Sequence, residues 1–337
     1  MYKEDVKVGN VYRQEYRDGI EKLIEKLAIK SKEIRTEKIK EIRADREKCR
    51  KEFVEILGWP LDRSDSKTVP KANKIFVAKN GDISIYRMQF FVLGIPFYGL
   101  LFVKEDGKRR PLVIAQHGGE GSPEETGNLL VSGTANYNDM IERVLKYDVN
   151  VFAPQLLLWR QEFSFDDTDA MRSSIDNRLK QFGSSITALE IYCIKRAIDY
   201  FENQSFVDDK KIGMLGLSYG GFYTLYTAAV ETRIKSCLSC AFFNDRIKYN
   251  WSDFVWFDSG NKFTDVEVAL LVQPRPLYIC IADKDQCFDY ETGLNVWNEL
   301  KSNLTDEDNI HFIGFEGTHE FIKEDEPIQE FINDLFN

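Results

Sequence analysis

The chain has 337 residues, 43% of them hydrophobic, which suits one large core with an appended segment. A formal net charge of −10 argues against a phosphate-binding face, so nucleic acid is not an expected partner. No stretch approaches the ~20 apolar residues of a membrane span, and Met1-Tyr2-Lys3-Glu4-Asp5 holds no apolar signal core. The expectation is a cytoplasmic chain with no membrane partner.

Residues 9–58 read as helix. Ile20, Leu23, Ile24 and Leu27 recur at the spacing of an apolar helical stripe. A thinner stripe of Ile39, Ile42, Cys49, Phe53 and Ile56 continues through a charge-dense segment, and Gly58 followed by Pro60 is a helix stop. A helical extension over residues 1–66 is expected, packed on the rest of the chain or on a second copy as a homo-oligomer contact.

Three strand-like segments follow, Lys74 to Ala78, Ile83 to Leu93 and Ile95 to Lys104, and Asn80-Gly81 signals a hairpin at a sheet edge. Strands and helices then alternate. Strands are expected at 111–116, 150–154, 211–215, 237–243, 276–282 and 309–315, and helices at 137–147, 184–203 and 222–230. That alternation predicts the α/β class, a mostly parallel sheet covered by helices on both faces, over residues 67–337. Segments 163–178 and 244–262 break the pattern. The second carries Tyr249, Trp251, Phe254, Trp256 and Phe257, and both are expected as cap insertions. Trp251 and Trp256 are expected to line a substrate pocket; the alternative is a loop buried by its own aromatics.

Six cysteines include Cys237-Leu238-Ser239-Cys240. Residues three apart on a strand point to opposite faces, so this pair does not make a zinc site. Free thiols suit a reducing compartment, and no metal or organic cofactor is expected.

The chemistry centres on Gly216-Leu217-Ser218-Tyr219-Gly220-Gly221, placed between an apolar strand and an apolar helix. Strand, sharp turn and helix are the context of a nucleophile elbow, in which a strained serine is lifted clear of the sheet. A serine needs a base, and the base needs an orienting acid. His319 falls beyond the carboxyl end of its strand, on the edge that carries Ser218, whereas His311 falls near the beginning of the same strand; His117 lies in the loop after an earlier strand. Asp283 and Asp285 follow the strand ending at Ala282, with Asp285 deeper in the loop, and Asp245 follows another apolar run. An oxyanion needs two donors. The Tyr219 N–H, next to the nucleophile, is one. The loop His117-Gly118-Gly119-Glu120-Gly121 offers Gly119 N–H as the second, with His117 holding the loop. Arg160, at a strand end, is either a contact for an acidic substrate or a structural ion-pair partner.

These residues resemble the α/β-hydrolase superfamily. Within it, His117-Gly118-Gly119, Thr232-Arg233-Ile234-Lys235, Pro274-Arg275-Pro276-Leu277 and Gly317-Thr318-His319-Glu320-Phe321 are similar to dienelactone-hydrolase-like and acetyl-xylan-esterase-like serine hydrolases. The resemblance spans roughly residues 75–337. It implies Ser218, Asp285 and His319 as the triad, in that chain order, and hydrolysis of a carboxylic ester with a short acyl group on an alcohol or sugar. Dienelactone hydrolases carry cysteine where Ser218 stands, which argues against their substrate. Gly-x-Ser-Tyr-Gly-Gly also resembles the catalytic domain of prolyl-oligopeptidase-type peptidases, but 337 residues leave no room for their usual β-propeller. A third possibility, a non-catalytic hydrolase-fold binding protein, requires a broken triad, and here every member has a candidate.

Overall fold

The computed structural model describes residues 1–61, 68–160 and 168–337, apart from the side chains of 168–170. The boundary expected at 66/67 and the expected start of an insertion at 163 lie outside the described residues.

Among the described residues nine strands form one sheet: β1 (Ala72–Asn80), β2 (Ile83–Val92), β3 (Ile95–Lys104), β4 (Arg110–Gln116), β5 (Asn150–Pro154), β6 (Val207–Leu217), β7 (Ile234–Cys240), β8 (Leu277–Ala282) and β9 (Ile310–Phe315). Their order is β1-β2-β3-β5-β4-β6-β7-β8-β9. The first three make an antiparallel meander at one edge, joined antiparallel to β5. Strands β5, β4, β6, β7, β8 and β9 run parallel, so their carboxyl ends share one edge. Strands β4, β5 and β8 are buried throughout. Their continuous apolar runs reflect helices on both faces.

The helices are α1 (Asn10–Ala44), α2 (Arg46–Leu57), α3 (Pro123–Thr126), α4 (Met140–Leu145), α5 (Thr168–Lys180), α6 (Ile186–Phe201), α7 (Tyr219–Val230), α8 (Ser259–Lys262), α9 (Asp265–Val272), α10 (Tyr290–Lys301) and α11 (Glu326–Phe336). The helix expected at 137–147 is shorter, because Asn138 and Asp139 take left-handed conformations and α4 begins only at Met140. Two cores flank the sheet. One gathers α2, α6, α7 and α9. The other gathers α4 and α11. Cys237 belongs to the first and Cys240 to the second, as alternation along β7 requires.

The N-terminal extension divides into two parts with different surroundings. Asp45 breaks the helix and caps α2 through Lys48 N–H, 2.9 Å from its carboxylate. Ile39, Ile42, Cys49, Phe53 and Leu57 enter the first core. Buried Arg35 bonds Glu267 and Glu299 at 3.0 and 2.8 Å, and Arg43 bonds Asp308. By contrast, every residue from Asn10 to Leu27 is exposed. Among the described residues no helix is long and apolar enough to cross a membrane.

Candidate active site

Ser218 stands between β6 and α7 with φ 58° and ψ −119°. A non-glycine residue pays steric strain there, and the bend is made possible by its glycines. A Cβ on Gly220 would lie 2.1 Å from Gln116 O, and one on Gly216 would lie 2.5 Å from the Gly220 backbone. The Ser218 N–H bonds Cys240 O at 2.8 Å, which ties the bend to β7. Ser218 occupies the N-cap of α7, yet its side chain makes no cap bond, so the hydroxyl is not consumed by the helix.

His319 follows β9, and Asp285 lies in the loop after β8. The His319 Nδ1–H faces both carboxylate oxygens of Asp285, at 3.0 and 2.9 Å. That bond leaves Nε2 as the accepting nitrogen. The Asp285 carboxylate is almost wholly buried. Its Oδ1 also accepts the N–H groups of Cys287 and Phe288, at 2.7 and 3.0 Å. The loop thus fixes the direction of the acid before the imidazole meets it. Of the three carboxylates considered, Asp285 alone touches His319. Asp283 accepts Gly317 N–H instead, and Asp245 closes its own loop through Ile247 N–H.

His311 lies at the other end of β9, stacked on Tyr278 with Nε2 against Asn309. His117 is fully buried. Its Nδ1 bonds Gly118 O at 2.6 Å, and its Nε2 accepts Leu156 N–H at 2.9 Å. Burial holds this ring neutral and pushes its pKa down to about 4; the Gly118 carbonyl opposes that shift and the nearby Arg172 charge adds to it. His117 therefore locks the glycine loop onto the end of β5. Tyr137 OH completes the lock by accepting Gly118 N–H at 3.0 Å. The loop lies against the elbow: a Cβ on Gly118 would meet Ser218 Cβ at 3.2 Å, and one on Gly119 would meet the Tyr219 ring at 3.3 Å.

Ser218, His319, Gly118, Gly119 and Tyr219 line one cavity of about 640 Å³. Its walls include Leu158, Trp251, Phe254 and Phe288, with Glu120, Arg160, Arg172 and Asp253 as charged groups. The Phe288 ring lies 5.8 Å from the His319 ring. Arg160 bonds buried Glu125 at 2.6 Å, so its charge is engaged while it borders the cavity. Trp251 is at the cavity, but Trp256 is not among its lining residues. The Trp256 ring packs on Phe222 and Tyr226 of α7 instead. That aromatic segment thus divides between a cavity wall and a core anchor.

Sequence reasoning missed Arg172 and its partners. This buried guanidinium bonds Asp253 at 2.7 Å, Tyr223 OH at 2.8 Å and Glu190 at 3.0 Å. Burial works against its charge, but the two carboxylates and Tyr223 outweigh that effect and raise its pKa well above the ordinary value. Tyr219, beside the nucleophile, bonds the other Asp253 oxygen at 3.3 Å. The one group of metal-capable side chains among the described residues is Asp285, Cys287 and His319, with ligand atoms within 4.8 Å of one another. Its carboxylate and imidazole are already bonded to each other.

The parallel sheet, the strained elbow after β6 and the imidazole after β9 define an α/β-hydrolase fold. Comparison with known proteins agrees. The profile of the prolyl oligopeptidase family matches residues 193–333. A provisionally named hydrolase, YtaP of Bacillus subtilis (strain 168), is 26% identical over 180 residues, 49% of this chain and 57% of YtaP. The match thus spans a little over half of that relative's length. Among solved structures, a provisionally named acetyl xylan esterase from Bacteroides fragilis superposes with a TM-score of 0.64 at 13% identity, covering 88% of this chain and 83% of its own. A glucuronoyl esterase from Solibacter usitatus gives 0.58 at 16% identity, covering 86% and 92%. Acetyl xylan esterase 1 from Thermoanaerobacterium gives 0.54 at 15% identity, covering 87% and 94%. At these identities the likeness is one of fold.

Proposed function

We propose that the chain is a serine hydrolase that cleaves carboxylic esters through an acyl-enzyme, with a short acyl group on an alcohol or sugar as the substrate class. The observation that carries this reading is a strained, uncapped Ser218 sharing one cavity with an imidazole whose other nitrogen is held by a buried carboxylate. The esterase names of the fold neighbours agree with it.

In this mechanism Ser218 Oγ attacks the ester carbonyl while His319 Nε2 takes its proton. Asp285 keeps the proton on Nδ1 and stabilises the imidazolium that forms. The N–H groups of Tyr219 and Gly119 receive the oxyanion; the first belongs to the opening turn of α7, where backbone N–H groups have no helical partner. His319 then protonates the departing alkoxide, and water attacks the acyl-enzyme by the same base. Trp251, Phe254 and Phe288 form the apolar wall against which a short acyl or sugar face packs.

The profile match over residues 193–333 favours a second reading, cleavage of an aminoacyl amide. One experiment addresses both. A serine-directed phosphonate should label Ser218 in the intact chain and leave Ser218→Ala unlabelled. A short-chain aryl ester should be turned over faster than the matching aminoacyl amide, and Ser218→Ala should lose about 10⁴-fold or more in kcat. Unimpaired turnover in Ser218→Ala refutes the nucleophile. A preference for the amide refutes the ester reading alone.

A further inference from the structure

The first half of α1 is a helix that no described residue buries. From Asn10 to Leu27 it runs about 27 Å, and every residue along it is exposed. A helix of that length in water is marginal without a packed face. Yet this segment carries large apolar side chains at the surface: Tyr16, Ile20, Leu23, Ile24 and Leu27, with Ile34 exposed further along. Tyr16, Ile20, Leu23, Leu27 and Ile34 fall on alternating three- and four-residue steps with one gap, at Lys30. This is the seam of a helix that packs against another helix.

Among the described residues, none buries the stripe. The helix continues unbroken to Ala44, and its second half is fixed to the body by Arg35 on Glu267 and Glu299 and by Arg43 on Asp308. Where α1 leaves the body, Ile24, Leu27 and Ala28 border a groove of about 230 Å³, closed on the other side by Ile247 and Trp256.

We propose that a second copy of this chain covers the stripe, the two α1 helices packing antiparallel about a two-fold axis. Two observations favour this occupant. Seam spacing requires a helical partner of the same pitch, and an identical helix supplies one in a closed, self-complementary pair. The segment Asn10–Lys30 holds five cations and four acids in a chain of net charge −10, so two copies meet here with little repulsion. The antiparallel sense sets the two acidic bodies at opposite ends of the pair and opposes the helix dipoles. It also brings the amino-terminal turns of each α1 to the groove beside Trp256 of the other. The inference does not depend on the hydrolase reading.

Light scattering of the full chain at micromolar concentration tests it. The expected mass is twice the single-chain 39.2 kDa. Leu23→Lys combined with Leu27→Lys changes only exposed side chains, and should halve the mass with no loss of folded circular dichroism. Mixing Tyr16→Cys with Leu27→Cys chains should give a disulfide between them, while Tyr16→Cys alone should give none at that position. A wild-type mass of one chain, a dimer that survives the lysine substitutions, or a Tyr16→Cys chain that cross-links to itself there would overturn the proposal.

Discussion

The Nε of Arg172 donates to Oδ2 of Asp253 across 2.7 Å, and this bond joins α5 to the aromatic segment that walls the cavity. The same guanidinium reaches Glu190 on α6 and Tyr223 on the nucleophile helix. A single charge thus holds both insertions against the elbow. Its loss leaves two buried carboxylates without their cation, a situation that costs about 3–5 kcal/mol. Arg172→Met is expected to lower unfolding stability by that amount, read from urea titrations. A loss no larger than that of an exposed ion pair would contradict the clamp.

Asp283 and Asp285 are two residues apart with unlike partners. Asp285 orients the imidazole of His319, whereas Asp283 holds Gly317 N–H. Asp285→Asn removes the acceptor that fixes the Nδ1–H tautomer, and should lower kcat by about 10³–10⁴-fold with little change in KM. Asp283→Asn should stay within a few-fold of wild type. Steady-state kinetics on one aryl ester compares the two; equal losses would mean that the loop, and not the carboxylate, is what matters.

The sheet was largely legible because its signals are local. Apolar runs such as 277–282 and the turn at Asn80-Gly81 mark strands without help from distant residues. Ser218 and His319 were legible because strand ends place them. What stayed hidden depends on packing between distant segments. The choice between Asp283 and Asp285 rests on how the loop closes through Cys287 and Phe288 N–H groups, which spacing does not encode. Arg172 sat in a polar stretch, and its partners lie 18, 51 and 81 residues away. The stripe at Ile20 and Leu27 announced an apolar face but not which surface would meet it.

Gly220 tests how tightly the elbow is built. A methyl there would sit 2.1 Å from Gln116 O, a backbone atom of a buried strand. Gly220→Ala should cost more than the about 1–3 kcal/mol of ordinary overpacking, because no flexible side chain can yield. A fall in melting temperature together with lost phosphonate labelling is expected. A chain that melts like wild type and still labels would mean that the bend is looser than its geometry implies.

The buried imidazole of His117 gives stability a pH dependence of definite sign. Its pKa is about 4 in the folded chain against an ordinary 6.5, burial being the main cause. Between those values the unfolded chain binds a proton that the folded chain does not. Stability should therefore be undiminished above pH 6.5, fall as the pH drops through the window, and level off below about 4. The full loss from this group is about 3 kcal/mol. His117→Gln, measured by urea titration across the same range, should show a shallower fall.

Trp251 and Trp256 stand five residues apart and should fail differently when truncated. Trp251 is half exposed at the cavity, against Phe254 and Phe288. Trp256 packs on Phe222 and Tyr226 in the core of α7. Trp251→Ala should raise KM severalfold and shift preference among acyl or alcohol groups with little change in melting. Trp256→Ala removes aromatic packing and should cost about 3 kcal/mol while leaving the preference among substrates unaltered. Ester panels and thermal melts on both variants decide the matter. If Trp256→Ala changes selectivity and Trp251→Ala only stability, the cavity wall has been assigned to the wrong tryptophan.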